Sequence, residues 1–182
     1  MAKHIAIIPL SEIHKMAIVP SNGAAMAALK ADYIMNAGFY DMSTYKPVGH
    51  LKIDGKVLSK ENWNCWGYAW NGTDLCMEVI PSSADNYISG VELITPYVDT
   101  EKKLSYLPEV GGKRPRSAMA QTKDSLILYC TDENTTPEQV RQELCDMGAE
   151  TAIMLDSGGS TQCNFEGKTI KSSRKVHNYI CV

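Results

Sequence analysis

The feature of this sequence best suited to chemistry is a carboxylate beside a glycine-rich turn. Asp156 follows the mainly apolar residues 151–155 and begins the turn Asp-Ser-Gly-Gly-Ser-Thr over 156–161. An acid at the end of a buried strand, next to unobstructed backbone N–H groups and three hydroxyl groups, can bind phosphate or sugar oxygens. Asp, Ser and Gly are also ordinary turn residues, so a purely structural turn between two strands is an alternative interpretation.

Three other segments combine apolar residues with polar side chains of this kind. Residues 33–41 read Tyr-Ile-Met-Asn-Ala-Gly-Phe-Tyr-Asp, a short apolar strand that runs into a polar turn containing glycine. Residues 114–118 read Arg-Pro-Arg-Ser-Ala, and Arg174 opens the segment 174–180 near the end of the chain. Taken in chain order with the Asp156 turn, these segments resemble the phosphodiester glycosidase family.

The resemblance extends over residues 31–182 and is strongest from Arg114 onward. The family pattern has an Asn-Gly-x-Phe-Phe-like turn, an Arg-x-Ala-like strand, a helix, a Leu-Asp-Gly-Gly-Gly-Ser-like turn and a late Arg before the last strand. This sequence departs from the pattern at Ala37, Tyr40, Ser157 and Gln121. None of these departures removes a carboxylate, an arginine or the Asn, so we expect a binding site to survive while the substrate is free to differ.

The resemblance implies a hydrolase that cleaves a glycosyl phosphodiester, such as a sugar-1-phosphodiester, at or near the anomeric carbon. This reaction passes through an oxocarbenium-like state, so it needs a carboxylate near that carbon and cationic or N–H groups around the departing phosphate. The predicted catalytic residues are Asp156, Asp41 and Asn36. The residues predicted to bind phosphate or sugar are Arg116, Arg174, Arg114, Ser157, Gly158, Gly159, Ser160 and Thr161.

Three of these roles have structural alternatives. Arg174 could form an ion pair with Asp156, because buried charges need partners. Asn36 could do no more than close an Asx turn, and Asp41 could lie on a solvated loop outside the pocket.

Two further groups of residues allow both a structural and a site interpretation. The alternation of Trp66, Tyr68 and Trp70 places three rings on one side of a strand, where they either pack in the core or stack on a sugar or nucleobase. Cys163 could act as a nucleophile with His177 as its base, but nothing in the sequence brings the two together.

A second class of function is a binding protein that sequesters its ligand without cleaving it. The ligand would be a phosphate-containing sugar or nucleotide signal, for example of the cyclic or ADP-ribose type. The short chain and the departures around Asn36 and Asp156 motivate this alternative.

A third possibility is a domain used for protein contacts in a phage or bacterial cell-surface assembly. In all but the third, the expected partner is a small molecule. No cofactor is predicted, although Asp156 and Asp41 leave a hard divalent cation possible.

Composition excludes several other classes. The 182 residues, 44% of them hydrophobic, suffice for one domain over residues 1–182. A net charge of -3 without a dense Lys/Arg cluster argues against nucleic-acid binding. No apolar run has the length of a membrane span or a signal-peptide core, so we expect a cytoplasmic protein with no membrane partner. The sequence does not indicate an oligomeric state.

The elements expected around these residues form an α+β fold, a mixed strand-rich sheet with two main helices. Alanine-rich residues 22–30 predict one helix, capped by Ser21 or Asn22. Residues 137–147 predict the other, because a Thr cap, Pro137 and Glu138 mark its start and Gly148 its end. Glycine and proline breaks over 96–113 predict a loop that could act as a lid.

Overall fold

The computed structural model describes residues 1–60, 66–79, 83–96 and 106–182. Strands dominate this part of the chain, and their pairings are antiparallel. In chain order the strands are β1 (Lys3–Pro9), β2 (Ala17–Pro20), β3 (Tyr33–Asn36), β4 (Tyr40–Asp41), β5 (Lys46–Pro47), β6 (His50–Ile53), β7 (Lys56–Lys60), β8 (Trp66–Asn71), β9 (Asp74–Val79), β10 (Asn86–Ser89), β11 (Val91–Ile94), β12 (Arg114–Gln121), β13 (Ser125–Thr135), β14 (Thr151–Met154), β15 (Cys163–Phe165), β16 (Lys168–Ile170) and β17 (Asn178–Cys181). Within the described ranges the single α-helix is α1 (Pro137–Asp146).

Sheet 1 carries the strand that leads to Asp156, and its central strands β13, β12 and β14 are buried on both faces. Its order is β1-β13-β12-β14-β11. Along β12, Met119 joins the core shared with the other sheets, whereas Ala118 and Ala120 join the cluster beneath α1. This alternation follows from the two-residue period of a strand, and the small alanine side chains let the helix approach closely.

Helix α1 confirms the later of the two predicted helices. The Thr136 hydroxyl accepts the Gln139 N–H at 3.2 Å, and the Gln139 Oε1 accepts the Thr136 N–H at 2.9 Å, which forms a capping box. Pro137 follows in the first turn. Val140 and Leu144 are fully buried against sheet 1. The helix therefore fixes the outer face of the sheet that ends at Asp156.

The predicted α+β class with two main helices is wrong. The described chain is mostly β, with three five-stranded sheets and a two-stranded one formed by β4 and β5. The helix expected over 22–30 is reduced to one 3-10 turn, Met26–Ala28.

The backbone around residue 22 explains why that helix does not form. Asn22 and Gly23 have positive φ angles of 50° and 80°, which turn the chain, and Ala25 is already extended. A helix of nine residues is marginal by itself, and an alanine-rich segment has little apolar surface to bury. Met26 and Leu29 instead pack individually against the cluster that contains Tyr179. Tertiary packing thus overrides the helix propensity of alanine.

Two further sheets enclose the main core with sheet 1. Sheet 2 has the order β16-β15-β3-β17-β2, and sheet 3 the order β7-β6-β10-β8-β9. Buried apolar residues of all three sheets form one cluster; they include Ile18, Met35 and Ile180, Leu51, Trp70 and Ile88, and Met119, Leu126 and Ile153. Because β3 ends at Asn36 and Asp156 lies two residues after β14, sheets 2 and 1 deliver both residues to one junction.

Two of the three aromatic rings of β8 belong to the core, and Trp66 is partly exposed. Tyr68 and Trp70 are almost fully buried. The Tyr68 and Thr151 hydroxyls are hydrogen-bonded at 2.7 Å, and the Trp70 Nε1 donates to the Met16 carbonyl at 3.1 Å. These rings are therefore not exposed for stacking on a ligand.

Several expectations are only partly covered by the structure. Of the predicted loop over 96–113, residues 97–105 lie outside the described residues, and 106–113 contain turns without a helix or strand. No helix of the described chain is long and apolar enough to cross a membrane. The cytoplasmic location and the single domain over 1–182 stay predictions.

Candidate active site

The Asp156 turn is fixed by backbone hydrogen bonds to two sheets. The Leu155 N–H donates to the Ser117 carbonyl of β12 at 2.9 Å, and the Asp156 N–H donates to the Ala37 carbonyl, just after β3, at 3.0 Å. The Ser157 hydroxyl donates to the Leu155 carbonyl at 2.9 Å and accepts the Ser117 N–H at 3.2 Å. The carboxylate therefore projects from a backbone held on both sides.

Asn36 links the same elements through its side chain. Its Nδ2 donates to the Asp156 carbonyl at 2.6 Å, and its Oδ1 accepts the Ser117 hydroxyl at 2.6 Å and the Gln162 N–H at 3.1 Å. The residue is fully buried. Three of the four hydrogen bonds that an Asn amide can make are thus used within the protein. The predicted catalytic role of Asn36 stays a prediction, and in this structure its side chain positions the turn.

The Asp156 carboxyl is partly buried, and its environment brings its titration close to neutrality. Burial raises the pKa of Asp156 to about 6, against the opposing effects of a hydrogen bond from Ser160, the Ser157 N–H at 3.0 Å and the charge of Arg174. A carboxyl with a raised pKa in a cavity is typical of a functional site. At neutral pH most of it is ionised.

Arg174 packs against the backbone of the Asp156 turn. A Cβ on Gly159 would lie 2.5 Å from the Arg174 Nη2 and 2.8 Å from its Cζ, so the glycine makes room for the guanidinium. Its Nη1 donates to the Ser160 hydroxyl at 3.2 Å. The ion pairs within 4.0 Å among the described residues do not include Arg174 with Asp156. Arg174 therefore influences the carboxylate at longer range and through Ser160.

A cavity of about 230 Å³ opens beside Asp156, and we call it the Asp156 cavity. It is lined by Phe39, Tyr40, Val48, Glu109, Val110, Arg114, Arg116, Met154, Asp156 and Ser157. Burial raises the pKa of Tyr40, although a hydrogen bond with Ser160 partly opposes this shift. Tyr40 therefore belongs to the same group as Asp156, Ser160 and Arg174. The lining thus combines two acids, two arginines, two hydroxyl groups and aromatic surface.

The two arginines of β12 hold the chain that borders this cavity. Arg116 is fully buried, and burial lowers its pKa to about 10. Its guanidinium donates to the carbonyls of Thr135 (3.0 Å), Val110 (2.7 Å), Gly111 (3.1 Å) and Gly112 (2.5 Å) and to the Met154 sulfur (3.1 Å). These contacts occupy its five N–H groups, so Arg116 anchors residues 110–112.

Arg114 is less buried and lies closer to the Asp156 turn. Its guanidinium donates to the Glu109 and Pro108 carbonyls at 3.2 Å each. A Cβ on Gly158 would lie 3.8 Å from the Arg114 Cδ. Arg114 thus keeps N–H groups for a ligand, whereas the predicted phosphate role of Arg116 would require it to leave its carbonyl partners.

The remaining predicted turn residues differ in what they leave available. Within the described chain, the Gly158 and Gly159 N–H groups have no hydrogen-bond partner. The Thr161 hydroxyl oxygen is buried and unpartnered among the same residues. Ser160 is fully buried and connects Arg174 to the carboxylate. The Ser157 hydroxyl is occupied by Ser117 and Leu155. The two glycine amides are therefore the groups of the turn best placed to contact ligand oxygens.

Asp41 lies outside this group of residues. Its exposed carboxylate accepts hydrogen bonds from the Ser43 N–H and hydroxyl and from the Thr44 N–H, and these bonds lower its pKa. It is not among the residues that line the Asp156 cavity. The structure thus places Asp41 on the solvated turn that was its alternative, and its predicted catalytic role stays untested.

The cysteine nucleophile receives no support from the structure. Cys163 is fully buried and interacts with the Cys130 thiol. His177 is hydrogen-bonded through Nδ1 to the Asn178 Nδ2 at 2.9 Å, and its ring contacts that of Tyr45. Among the described residues no group of three His, Cys, Asp or Glu side chains could hold a metal ion. The possible divalent cation stays an untested expectation.

Sequence comparison identifies the family to which this site belongs. A model of the phosphodiester glycosidase family matches residues 30–182. The chain belongs to the phosphodiester glycosidase family. Membership in this family supports phosphodiester glycosidase activity in general. No curated protein sequence matches the chain significantly.

Solved structures show the same fold at low sequence identity. The catalytic domain of zebrafish N-acetylglucosamine-1-phosphodiester alpha-N-acetylglucosaminidase, auto-inhibited by its pro-peptide, matches with a TM-score of 0.74 and 17% identity over 100% of this chain and 82% of that one. A hypothetical protein from Synechocystis matches with a TM-score of 0.67 and 13% identity, over 98% and 56% of the two chains. A protein from Burkholderia pseudomallei K96243, named as a putative exported protein, matches with a TM-score of 0.71 and 10% identity, over 98% of this chain and 73% of that one.

The departures from the phosphodiester glycosidase pattern have visible roles here. The Ala37 carbonyl accepts the Asp156 N–H, and the Ser157 hydroxyl binds β12. The Gln121 Nε2 donates to the Leu75 carbonyl at 3.1 Å. Tyr40 lines the Asp156 cavity with Phe39. The sequence analysis did not assign a site role to Phe39 or Tyr40. Their position shortly after Asn36, in the turn that resembles the family pattern, could have indicated one.

Proposed function

We propose that this protein hydrolyses a glycosyl phosphodiester in the Asp156 cavity, at the bond between the anomeric carbon and the phosphate oxygen. The observation that carries the proposal is the Asp156 carboxyl, which lines the Asp156 cavity, has a pKa raised to about 6 by burial, and interacts with Ser160 and the charge of Arg174. Family membership supports this class of reaction. The zebrafish relative, named for N-acetylglucosamine-1-phosphodiester, suggests an N-acetylhexosamine as the first sugar to test.

The residues have the following roles in this proposal. The sugar lies against Phe39 and Tyr40, and the ionised Asp156 stabilises the positive charge that develops at the anomeric carbon. The carbon–oxygen bond breaks with its electron pair going to the phosphate, which leaves as a stable anion near Arg174 and Arg114. Water adds to the anomeric carbon and loses a proton, giving a free sugar and a phosphomonoester. Because phosphate is a good leaving group, a strong general acid is not required.

The test is incubation of the wild type and Asp156→Asn with a panel of sugar-1-phosphodiesters and nucleotide signals, read by mass spectrometry. Wild type is expected to release sugar and phosphomonoester, and Asp156→Asn to lose about a thousandfold in rate while staying folded. Asp124→Asn, an exposed acid in the β12–β13 turn, is the matched control and should keep full activity. Asp41→Asn, assayed in parallel, decides whether the second predicted carboxylate contributes.

Two other outcomes would replace the proposal. Ligand that is depleted by the protein and recovered intact after heating would identify a binding protein that sequesters its ligand in the same cavity. Equal product formation by wild type and Asp156→Asn would place the chemistry elsewhere.

A further inference from the structure

A second cavity, of about 560 Å³, is lined by Arg174 and by residues next to it in the chain. We call it the basic groove. Lys171, Arg174 and Lys175 line it, and no Asp or Glu is among its described lining residues. In a chain with a net charge of -3, three cations without an acid form a locally positive site. A concave surface of one sign attracts ions of the other sign.

The wall of the basic groove is fixed to the Asp156 turn. The Ser172 hydroxyl donates to the Gly159 carbonyl at 2.6 Å and accepts the Arg174 N–H at 3.0 Å. The Gln162 Nε2 donates to the carbonyls of Ser160 at 3.2 Å and Arg174 at 3.1 Å. The cationic wall is thus held in position before a ligand arrives, which lowers the cost of binding.

Part of the lining of the basic groove is apolar. Met26 and Leu29 line it and pack on the buried cluster of Ile34, Val176 and Tyr179. A groove lined by both cations and apolar side chains fits an anionic group attached to a carbon skeleton better than a free inorganic ion.

Arg174 connects this groove to the proposed reaction. Its guanidinium lies on Gly159 and donates to Ser160, while it also lines the basic groove. A phosphodiester bound at Arg174 with its sugar in the Asp156 cavity would therefore extend its other substituent toward Lys171 and Lys175.

We propose that the basic groove binds the alcohol side of the phosphodiester and selects substrates in which that side carries a second anionic group, a phosphate or a carboxylate. The proposal rests on the proposed function for the position of the scissile bond. Lys171 and Lys175 determine specificity in it and take no part in bond cleavage. The substrate class is thus a sugar-1-phosphodiester with a further negative charge beyond the scissile phosphate.

The first test measures binding without turnover, using inorganic pyrophosphate and isothermal titration calorimetry at low salt. The double variant Lys171→Ala/Lys175→Ala is expected to weaken pyrophosphate binding about tenfold. Lys168→Ala is the matched control: this exposed lysine of β16 does not line the groove and should change binding less than about twofold. Wild type that does not bind pyrophosphate, or equal binding by the double variant, would overturn the groove as an anion site.

The second test measures selectivity with two synthetic substrates that share one sugar and phosphate. One carries an uncharged alkyl alcohol and the other the same alcohol with a terminal carboxylate. The double variant should lose about tenfold in kcat/KM on the charged substrate and keep its value on the uncharged one. Equal losses on both would overturn the selectivity. Absence of hydrolysis by wild type would overturn the proposed function. The pyrophosphate titration would still show whether the basic groove binds anions.

Discussion

The inner and outer sides of the Asp156 turn contain similar polar residues in different states. On the inner side, Asn36 and Arg116 are fully buried and occupied by hydrogen bonds within the protein, although Arg116 also lines the Asp156 cavity. On the outer side, the Asp156 carboxyl has a raised pKa and lines the Asp156 cavity, and Arg174 lines the basic groove. Residues whose hydrogen-bonding groups are all occupied within the protein therefore hold the site, and residues with unoccupied groups can act on a ligand.

The two arginines show this contrast most directly. The five N–H groups of Arg116 all have partners in the protein, so the residue acts as an anchor. Arg174 has one described side-chain bond, to Ser160, and its guanidinium rests on a glycine. Changes on the inner side should therefore alter stability, and changes on the outer side should alter turnover.

The largest effect is expected from Asn36→Ala on the inner side. The substitution removes three hydrogen bonds and leaves the Ser117 hydroxyl and the Gln162 N–H without their acceptor. We expect a loss of about 4 kcal/mol in the free energy of unfolding. Urea denaturation measures it. Asn164→Ala is the control, since the Asn164 Oδ1 accepts only the Gly167 N–H in an exposed turn, and about 1 kcal/mol is expected there. Equal losses in the two variants would contradict the central role of Asn36.

Arg116→Met should have the next largest effect. It removes the donors that hold the carbonyls of residues 110–112, while Met replaces much of the buried volume, so we expect a loss of about 3 kcal/mol. The matched variant is Arg114→Met, which removes two bonds at a partly exposed site and should cost about 1 kcal/mol. Thermal and urea unfolding of both variants provide the comparison. An Arg116→Met protein of wild-type stability would show that Arg116 is free to bind ligand after all.

The pH dependence of stability should reveal Asp156. Its folded pKa of about 6 lies above the ordinary value of about 3.9. The folded state thus binds more protons between these values, and the contribution of Asp156 to stability is present below pH 4 and lost as pH rises through 6. Relative to wild type, Asp156→Asn should gain about 2 kcal/mol between pH 4.5 and pH 7.5.

A control variant and a measurement of turnover test the pH prediction further. Asp41→Asn should show the opposite sign, because the pKa of Asp41 is lowered by its turn and its contribution is lost as pH falls. Turnover by wild type should decline below pH 6 as Asp156 becomes protonated. If the difference in unfolding free energy between wild type and Asp156→Asn does not vary with pH, the pKa of the Asp156 carboxyl is not raised.

The smallest effect is expected from Gly159→Ala on the outer side. The new Cβ would displace the Arg174 guanidinium, so activity should fall about tenfold. Stability should change by less than about 1 kcal/mol, since residue 159 is exposed. A double-mutant cycle measures the coupling: in an Arg174→Ala background, Gly159→Ala should cause no further loss of activity. A full tenfold loss in that background would show that the glycine acts independently of Arg174.

Local pattern allowed much of this structure to be predicted. The Thr-Pro-Glu start and the apolar stripe gave α1, because caps and 3.6-residue periodicity act within a few turns of chain. The helix predicted over 22–30 does not form for an equally local reason, which composition alone does not reveal. The chain turns at Asn22 and Gly23, and the segment has too little apolar surface to stabilise a helix. The contrast shows that propensity without a burial face is weak.

The candidate site was predicted in its residue types more than in its roles. Asp156 and Arg174 were identified from a turn motif and a family pattern, and the structure connects them through the Ser160 hydroxyl. Arg116 and Asn36 belonged to the same patterns, but their hydrogen-bonding groups are occupied by partners that other parts of the chain contribute, which the sequence does not show. Tyr40 and the basic groove were missed, because rings and lysines are also common on ordinary surfaces.

The Asp156 turn, helix α1 and the membership in the phosphodiester glycosidase family could be inferred from the chain alone, since each depends on neighbouring residues or a residue pattern along the chain. Which polar groups are occupied, and which line a cavity, follows from the tertiary packing. Asn36 meets Asp156 across 120 positions of sequence and Ser117 across 81. Contacts at such separations are fixed by how the sheets pack, and no local pattern specifies them.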